Sequence, residues 1–230
     1  MVVADLHVHT TRSDGSLAPD AVADAAGRAD LDAIAITDHD RLPPVDSAVD
    51  ERADATVIGG IELRVATETQ RLDLLGYGIE PTDDLRAEIE RLQRDRIERA
   101  RVIVSRVEDH TGVELDVTFG PGIGRPHIAR AIADSDAAYD YAGAFANLIG
   151  DDGPCYVARE ITPYERGREL LLETCDLVSL AHPLRYADPD TALTRVADLD
   201  AVEHFYPYDG TPDLAPVESV IDEHDLLATG

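Results

Sequence analysis

Apolar and polar positions along the chain switch between a period of two and a period near 3.6, and the switches mark an alternation of strands and helices. An apolar run from Met1 to Ala4 leads into Asp5-Leu6-His7-Val8-His9, where strand geometry points His7 and His9 to one face. Pro19 to Ala29 reads as a helix with Pro in its first turn, Ala33 to Thr37 as a short buried strand, Pro43 to Arg52 as a second helix, and Thr56 to Leu63 as a third strand. Leu72 to Ile79 is another apolar stretch, bent at Gly76 and Gly78. Asp83 to His110 then reads as one long helix with Leu85, Ile89, Leu92, Ile97 and Val104 at helical spacing, capped by Thr82 or Asp83 and stopped by Gly112. With short helices over Pro126 to Ala133 and Tyr139 to Ile149, residues 81–162 form a helical cap inserted into an α/β core. The core pattern resumes with helices over Thr162 to Cys175, Thr191 to Leu199 and Pro212 to His224, and strands over Leu177 to Ala181 and Ala201 to Tyr206. Leu226 to Gly230 begins a further strand, which the sequence leaves unfinished.

The strand ends carry the chemistry. His7, His9 and Asp14 follow the first, Asp38-His39-Asp40 the second, Gly60-Ile61-Glu62 the third, and His182-Pro183 a later one. In alternating α/β architecture, side chains at the carboxyl ends of parallel strands converge on one mouth. Imidazoles and carboxylates with one shareable Glu suit a cluster of two or three manganese, zinc or iron ions, whereas a structural zinc favours Cys. Taken alone, the His7/His9 pair also fits a solvated strand end with Ser13-Asp14-Gly15 as a plain turn.

Composition narrows the partners. The chain of 230 residues has 20 basic residues, all arginine, against 47 acidic ones, a net charge of −27. Such a field repels anionic membranes and duplex nucleic acid, so a phosphate-bearing substrate needs a local cluster of arginines or metal ions. The acidity is best explained by solvation in high salt, as in a halophilic organism. Cys155 and Cys175 form no paired motif and read as incidental thiols of a reducing compartment. No long apolar run is present, which gives a cytoplasmic, soluble expectation.

Five motifs in order, Asp5-Leu6-His7-Val8-His9 with Ser13-Asp14-Gly15, Ile36-Thr37-Asp38-His39-Asp40, Gly60-Ile61-Glu62, Gly124-Arg125-Pro126-His127 and Leu180-Ala181-His182-Pro183, resemble the PHP (polymerase and histidinol phosphatase) family of metal-dependent phosphoesterases. The inserted Gly-Arg-Pro-His points to the branch similar to 5′-3′ exoribonucleases and 3′,5′-nucleotide bisphosphatases. The resemblance implies one PHP domain over residues 1–230, with a distorted seven-stranded (β/α) TIM-like barrel, the 81–162 cap inserted in it, and C-terminal strand structure missing. It implies two or three divalent ions, Mn²⁺ first and Zn²⁺, Fe²⁺ or Mg²⁺ as alternatives, held by His7, His9, Asp14, His39, Glu62 and His182. His7, His9 and Glu62 would carry catalysis, by a metal-bridged hydroxide attacking phosphorus in line. Arg125 and His127, with Arg12 and Arg185, would meet the phosphate, although Arg125 also reads as a surface charge and His127 as a helix-start residue. Two departures stand out. Asp73 occupies the place where the branch carries a histidine ligand, where it would still ligate a hard cation and shift preference toward manganese or magnesium, or else read as a plain surface Asp, and the family's terminal Asp-x-His pair is absent from this sequence. The substrate class implied is a nucleotide or short oligonucleotide; histidinol phosphate, or a non-catalytic metal-binding module, are the alternatives.

Overall fold

The computed structural model describes residues 3–44, 47–52 and 54–230. The chain forms two compact units, Met1–Ile89 with Ile161–Gly230, and Glu90–Glu160. The strands of the described residues lie in the first unit: β1 (Ala4–Val8), β2 (Ala33–Ile36), β3 (Val49–Glu51), β4 (Thr56–Ala66), β5 (Arg71–Tyr77), β6 (Thr162–Pro163), β7 (Leu177–Leu180), β8 (Ala201–Glu203) and β9 (Leu227–Thr229). The helices are α1 (Val22–Arg28), α2 (Asp83–Thr111), α3 (Arg125–Ala133), α4 (Tyr141–Ala144), α5 (Tyr164–Thr174), α6 (Pro189–Leu193) and α7 (Ala215–His224). None of the described helices is long and apolar enough to cross a membrane.

The sheet runs β1-β2-β4-β5-β7-β8-β9, with β3 and β6 added to β4. It curls, and its two ends are joined where the Leu6 N–H donates to the Gly230 carbonyl at 2.9 Å. The strand read from sequence as unfinished is therefore paired to β8 through all three of its residues. Pairing is parallel from β1 through β2 to β4 and from β7 through β8 to β9, but β5 is antiparallel to both its neighbours. The connection from β4 to β5 is the cause. Thr67 and Gln70 close it with a backbone hydrogen bond of 2.9 Å, and so short a loop makes a hairpin, not a crossover.

Alternation along β2 shows why its sequence is apolar throughout. Ile34 and Ile36 pack with Val22, Ala23 and Ala26 of α1, while Ala35 faces the opposite way toward Leu75, Tyr77 and Ala181. Both faces are covered, as in parallel sheets generally. In β4 and β5, Ile61, Leu63, Leu72 and Leu74 are completely buried, each contributing about 1.5–3 kcal/mol of transfer free energy.

Among the described residues of the second predicted helix, Pro43 to Arg52, no helix forms. Val49–Glu51 is instead β3, antiparallel to the start of β4; Val45 and Asp46 of that span, like Met1 and Val2 of the first strand, lie outside the described residues. The segment has prolines at its start but no apolar stripe to hold a helix on a core, and the leading part of β4 offers it an edge to pair with.

In the unit Glu90–Glu160, the later turns of α2 bring Ala100, Ile103, Val104 and Val107 together with Ile128, Ala129 and Ile132 of α3 and with Leu148 and Ile149. The long helix stops at Gly112, whose φ of 72° lies in the left-handed region that glycine adopts without strain.

Candidate metal centre

The site is built around one carboxylate. Glu62 lies on β4 where the strand leaves its partner β2 and takes up β5, and it is 1% exposed. Four imidazoles surround it. His7 Nε2 is 3.4 Å and His182 Nε2 3.1 Å from Oε1, while His9 Nε2 is 3.3 Å and His39 Nδ1 2.7 Å from Oε2. The period-two placement of His7 and His9 holds, with ring centroids 5.1 Å apart.

Asp14 reaches the same place because its loop is tied down from within. The buried Asp38 carboxylate accepts the Thr10 N–H at 2.8 Å, the Thr10 hydroxyl at 2.7 Å and the Ser13 hydroxyl at 2.6 Å. That turn presents Asp14 Oδ1 3.4 Å from His9 Nδ1 and Oδ2 3.6 Å from His39 Nε2. Gly15 closes it so tightly that a Cβ there would stand 2.0 Å from the His9 carbonyl oxygen. Gly15→Ala is expected to cost about 1–3 kcal/mol, as overpacking does, read as a lowered melting temperature. An unchanged melting temperature would mean that the turn opens freely.

Glu203, at the end of β8, supports the floor. Its Oε1 is 2.9 Å from His7 Nδ1, and its other oxygen accepts the N–H of His182, a residue held at φ 28°. A carboxylate only accepts, so the Nδ1 proton of His7 is fixed and Nε2 is turned to Glu62.

The charges are strongly coupled. Burial alone would lower the pKa of His7, but hydrogen bonds to Glu203 and Glu62 outweigh it and raise the value to about 10. His39 rises likewise to about 10, where burial is overcome by the attraction of Glu62 and by hydrogen bonds to Asp14 and Glu62. The His39 hydrogen bond, opposed by burial, holds Asp14 well below the carboxylate range. Burial pushes Glu62 upward, yet His39, His182 and His7 pull it far down. The buried negative charge of Glu62 is balanced here by protons on the imidazoles around it, a role that bound cations can take over.

The donor atoms fit metal ions. Three overlapping groups, His7/His9/Glu62, His9/Asp14/His39 and Glu62/Asp73/His182, each bring ligand atoms within 4.8 Å of one another. Buried His182 Nδ1 has no hydrogen-bond partner, and such an orphaned polar atom is costly unless something else satisfies it. All residues of the three groups but Asp73 line a cavity of about 450 Å³ whose wall also includes Arg64, Arg185, Glu203, Phe205 and Tyr206.

The other residues singled out by sequence divide. Asp73 joins the third group from the middle of β5, not from a strand end, because β5 runs antiparallel and Asp73 pairs with Arg64 beyond Glu62. Arg185 lines the cavity and donates to the Tyr206 hydroxyl at 2.8 Å. Arg12 is not among the lining residues; its Nη1 donates to the Leu42 carbonyl at 2.9 Å. Arg125 and His127 belong to the unit Glu90–Glu160. Arg125 bonds Asp151 at 2.6 Å and lies over the Phe145 and Tyr156 rings. His127 Nδ1 accepts the Gly124 N–H at 3.2 Å, which commits that nitrogen to capping α3. Arg64 and Asp38 were not anticipated as site residues. An arginine inside an otherwise apolar strand was the available signal for the first, since such a charge requires a partner.

A curled α/β sheet with clustered His and carboxylate donors at one mouth defines the PHP domain: residues 5–179 match that family, and the chain belongs to it. It is 29% identical to the 5′-3′ exoribonuclease Rnm of Escherichia coli, over 80% of this chain and 67% of that one. It is 28% identical to the 3′,5′-nucleoside bisphosphate phosphatase of Chromobacterium violaceum, over 85% of this chain and 72% of that one. A crystal structure from Bifidobacterium adolescentis, assigned as a metal-dependent phosphoesterase, aligns with a TM-score of 0.82 at 23% identity, covering 100% of this chain and 86% of that one, a likeness of fold.

Proposed function

We propose that this chain is a metal-dependent phosphoesterase that hydrolyses phosphate esters of nucleotides or short oligonucleotides. The observation that carries the reading is the ring of four imidazoles on buried Glu62 in a chain of the PHP family. His7, His9 and Glu62 would hold one ion and His9, Asp14 and His39 a second. The mixture of carboxylate and imidazole donors favours manganese, with zinc, iron or magnesium as alternatives. When bound, the ions supply Lewis-acid charge at phosphorus and lower the pKa of attacking water. The protein's own part is to hold them: Asp38 fixes the Asp14 turn, and Glu203 sets the tautomer of His7. Arg185, carried over the Tyr206 ring at 5.5 Å, would meet an anionic substrate oxygen.

An anionic substrate is also supported by a basic cluster in the helical insertion. Arg99 is lowered to about 10, first by burial and then by repulsion from Arg125 and Arg159. Guanidiniums that repel one another within a chain of net charge −27 make a local attraction for phosphate. Arg125→Ala is expected to raise KM for a nucleotide bisphosphate by about 10–100-fold, the loss of one charge-assisted hydrogen bond of about 1.5–3 kcal/mol, with kcat little changed. An unchanged KM would remove Arg125 from substrate binding.

The acidic surface favours work in a high-salt cytoplasm, so assays belong in concentrated salt. The reading is tested by comparing release from a nucleoside 3′,5′-bisphosphate, a 5′-phosphorylated trinucleotide and p-nitrophenyl phosphate with manganese present. Faster turnover of either nucleotide substrate is expected. Equal rates on all three would contradict a nucleotide preference.

A further inference from the structure

The third ligand group differs from the other two. Asp73 is 2% exposed, and both its oxygens are already taken by an arginine: Arg64 Nε donates to Oδ1 at 2.7 Å and Nη2 to Oδ2 at 2.6 Å. The pairing is built into the sheet, since Arg64 on β4 stands directly opposite Asp73 on β5. In the remaining groups the carboxylates face imidazoles instead, Asp14 meeting His9 and His39 and Glu62 meeting all four histidines. Arg64 also lines the cavity beside His182 and Glu62, and Asp73 Oδ2 is 3.7 Å from His182 Nε2.

A guanidinium stays charged at any pH the protein meets, and its fork matches a carboxylate bidentately. It neutralises Asp73 and sets a fixed positive charge beside any ion that Asp73 would ligate. A third ion would then depend on the neutral imidazole of His182 and on a share of Glu62 that the first ion already uses. That donor set is weak for a divalent cation, and the neighbouring guanidinium repels one.

We infer that Arg64 is the third cation of this centre, its guanidinium standing where a metal ion would, so that the chain holds two divalent ions and not three. The inference rests on the metal-centre reading above and concerns the stoichiometry of that centre. Arg64 is a positioning residue here, acting through Asp73 on which donors remain open to metal.

The test counts ions. Protein loaded with excess manganese is freed of unbound metal by gel filtration and measured by elemental analysis, with circular dichroism to confirm the fold of each variant. Two equivalents are expected in the parent, in Asp73→Asn and in the charge-preserving Arg64→Lys. Three are expected in Arg64→Met, where Asp73 is released to ligate. Three equivalents in the parent, falling to two in Asp73→Asn, would overturn the inference. So would a count of two in folded Arg64→Met. A folded parent that holds no manganese would instead contradict the metal-centre reading itself, and His9→Ala, expected to lose ions, shows that the counted metal belongs to this site.

Discussion

Glu62→Gln is expected to reduce phosphoesterase activity by at least about 100-fold, beyond the 10–100-fold usual for residues one shell further from a metal. Glutamine keeps the shape of the side chain, so folding is little threatened, but it removes the one charge that His7, His9, His39 and His182 all face. It also turns an amide N–H₂ toward ring nitrogens that must be free to ligate. The bound-metal count should fall with the activity, because Glu62 belongs to two of the three ligand groups. In the metal-free variant, His7 and His39 should titrate below their parental values, since Glu62 is a principal cause of both elevations. Proton NMR of the imidazoles reads this directly. A glutamine variant with near-parental rates and metal content would remove Glu62 from the centre.

Metal binding should release protons, and the pH dependence of stability should change sign with metal. In the metal-free protein the folded pKa values of His7 and His39 stand near 10, against an ordinary 6.5. A raised value means that the imidazolium contribution to stability is complete below pH 6.5 and is lost as pH rises through about 10. Asp14 acts oppositely. Its lowered value gives stability that is present above its ordinary 3.8 and lost as pH falls through its depressed folded value. Metal-free protein should therefore melt at highest temperature between about pH 3.8 and 6.5 and soften toward pH 10. Metal ligation needs neutral imidazoles, so added manganese should stabilise more strongly as pH rises over that range. Titration calorimetry at pH 7.5 in two buffers of different ionisation enthalpy should reveal about two protons released as the centre fills, one each from His7 and His39. Zero proton release would contradict the charge pattern described for the site.

Much of this site was legible before the fold was seen, for a simple geometric reason. His7, His9, His39 and His182 lie at or just past the ends of apolar strand segments, and Glu62 lies inside β4 just beyond where β2 stops pairing with it, so a linear pattern of strand ends carried over into proximity. Asp73 lies mid-strand, and its membership depends on the β4–β5 hairpin running antiparallel, a pairing that apolar periodicity does not encode. The 43–52 segment went wrong for a related reason: turn prolines and acidic residues look like a helix start, while the edge of β4 that captures Val49–Glu51 is a tertiary fact. Asp38 was visible as a strand-end carboxylate, but its three hydrogen bonds to Thr10 and Ser13 depend on the fold of a loop. Arg64 is the most instructive omission. Its neighbours Leu63 and Val65 are fully buried, and its opposite number is the same Asp73 that departs from the family's pattern, so the two unusual residues explain each other.

The central claim, that the His/carboxylate cluster makes this chain a metal-dependent phosphoesterase, is tested most directly by metal-stripped protein in concentrated salt given 3′-phosphoadenosine 5′-phosphate. Phosphate release that is absent without metal, restored by manganese and lost again in His9→Ala is the result predicted. Release that persists at the parental rate in folded, metal-stripped protein or in His9→Ala would contradict it.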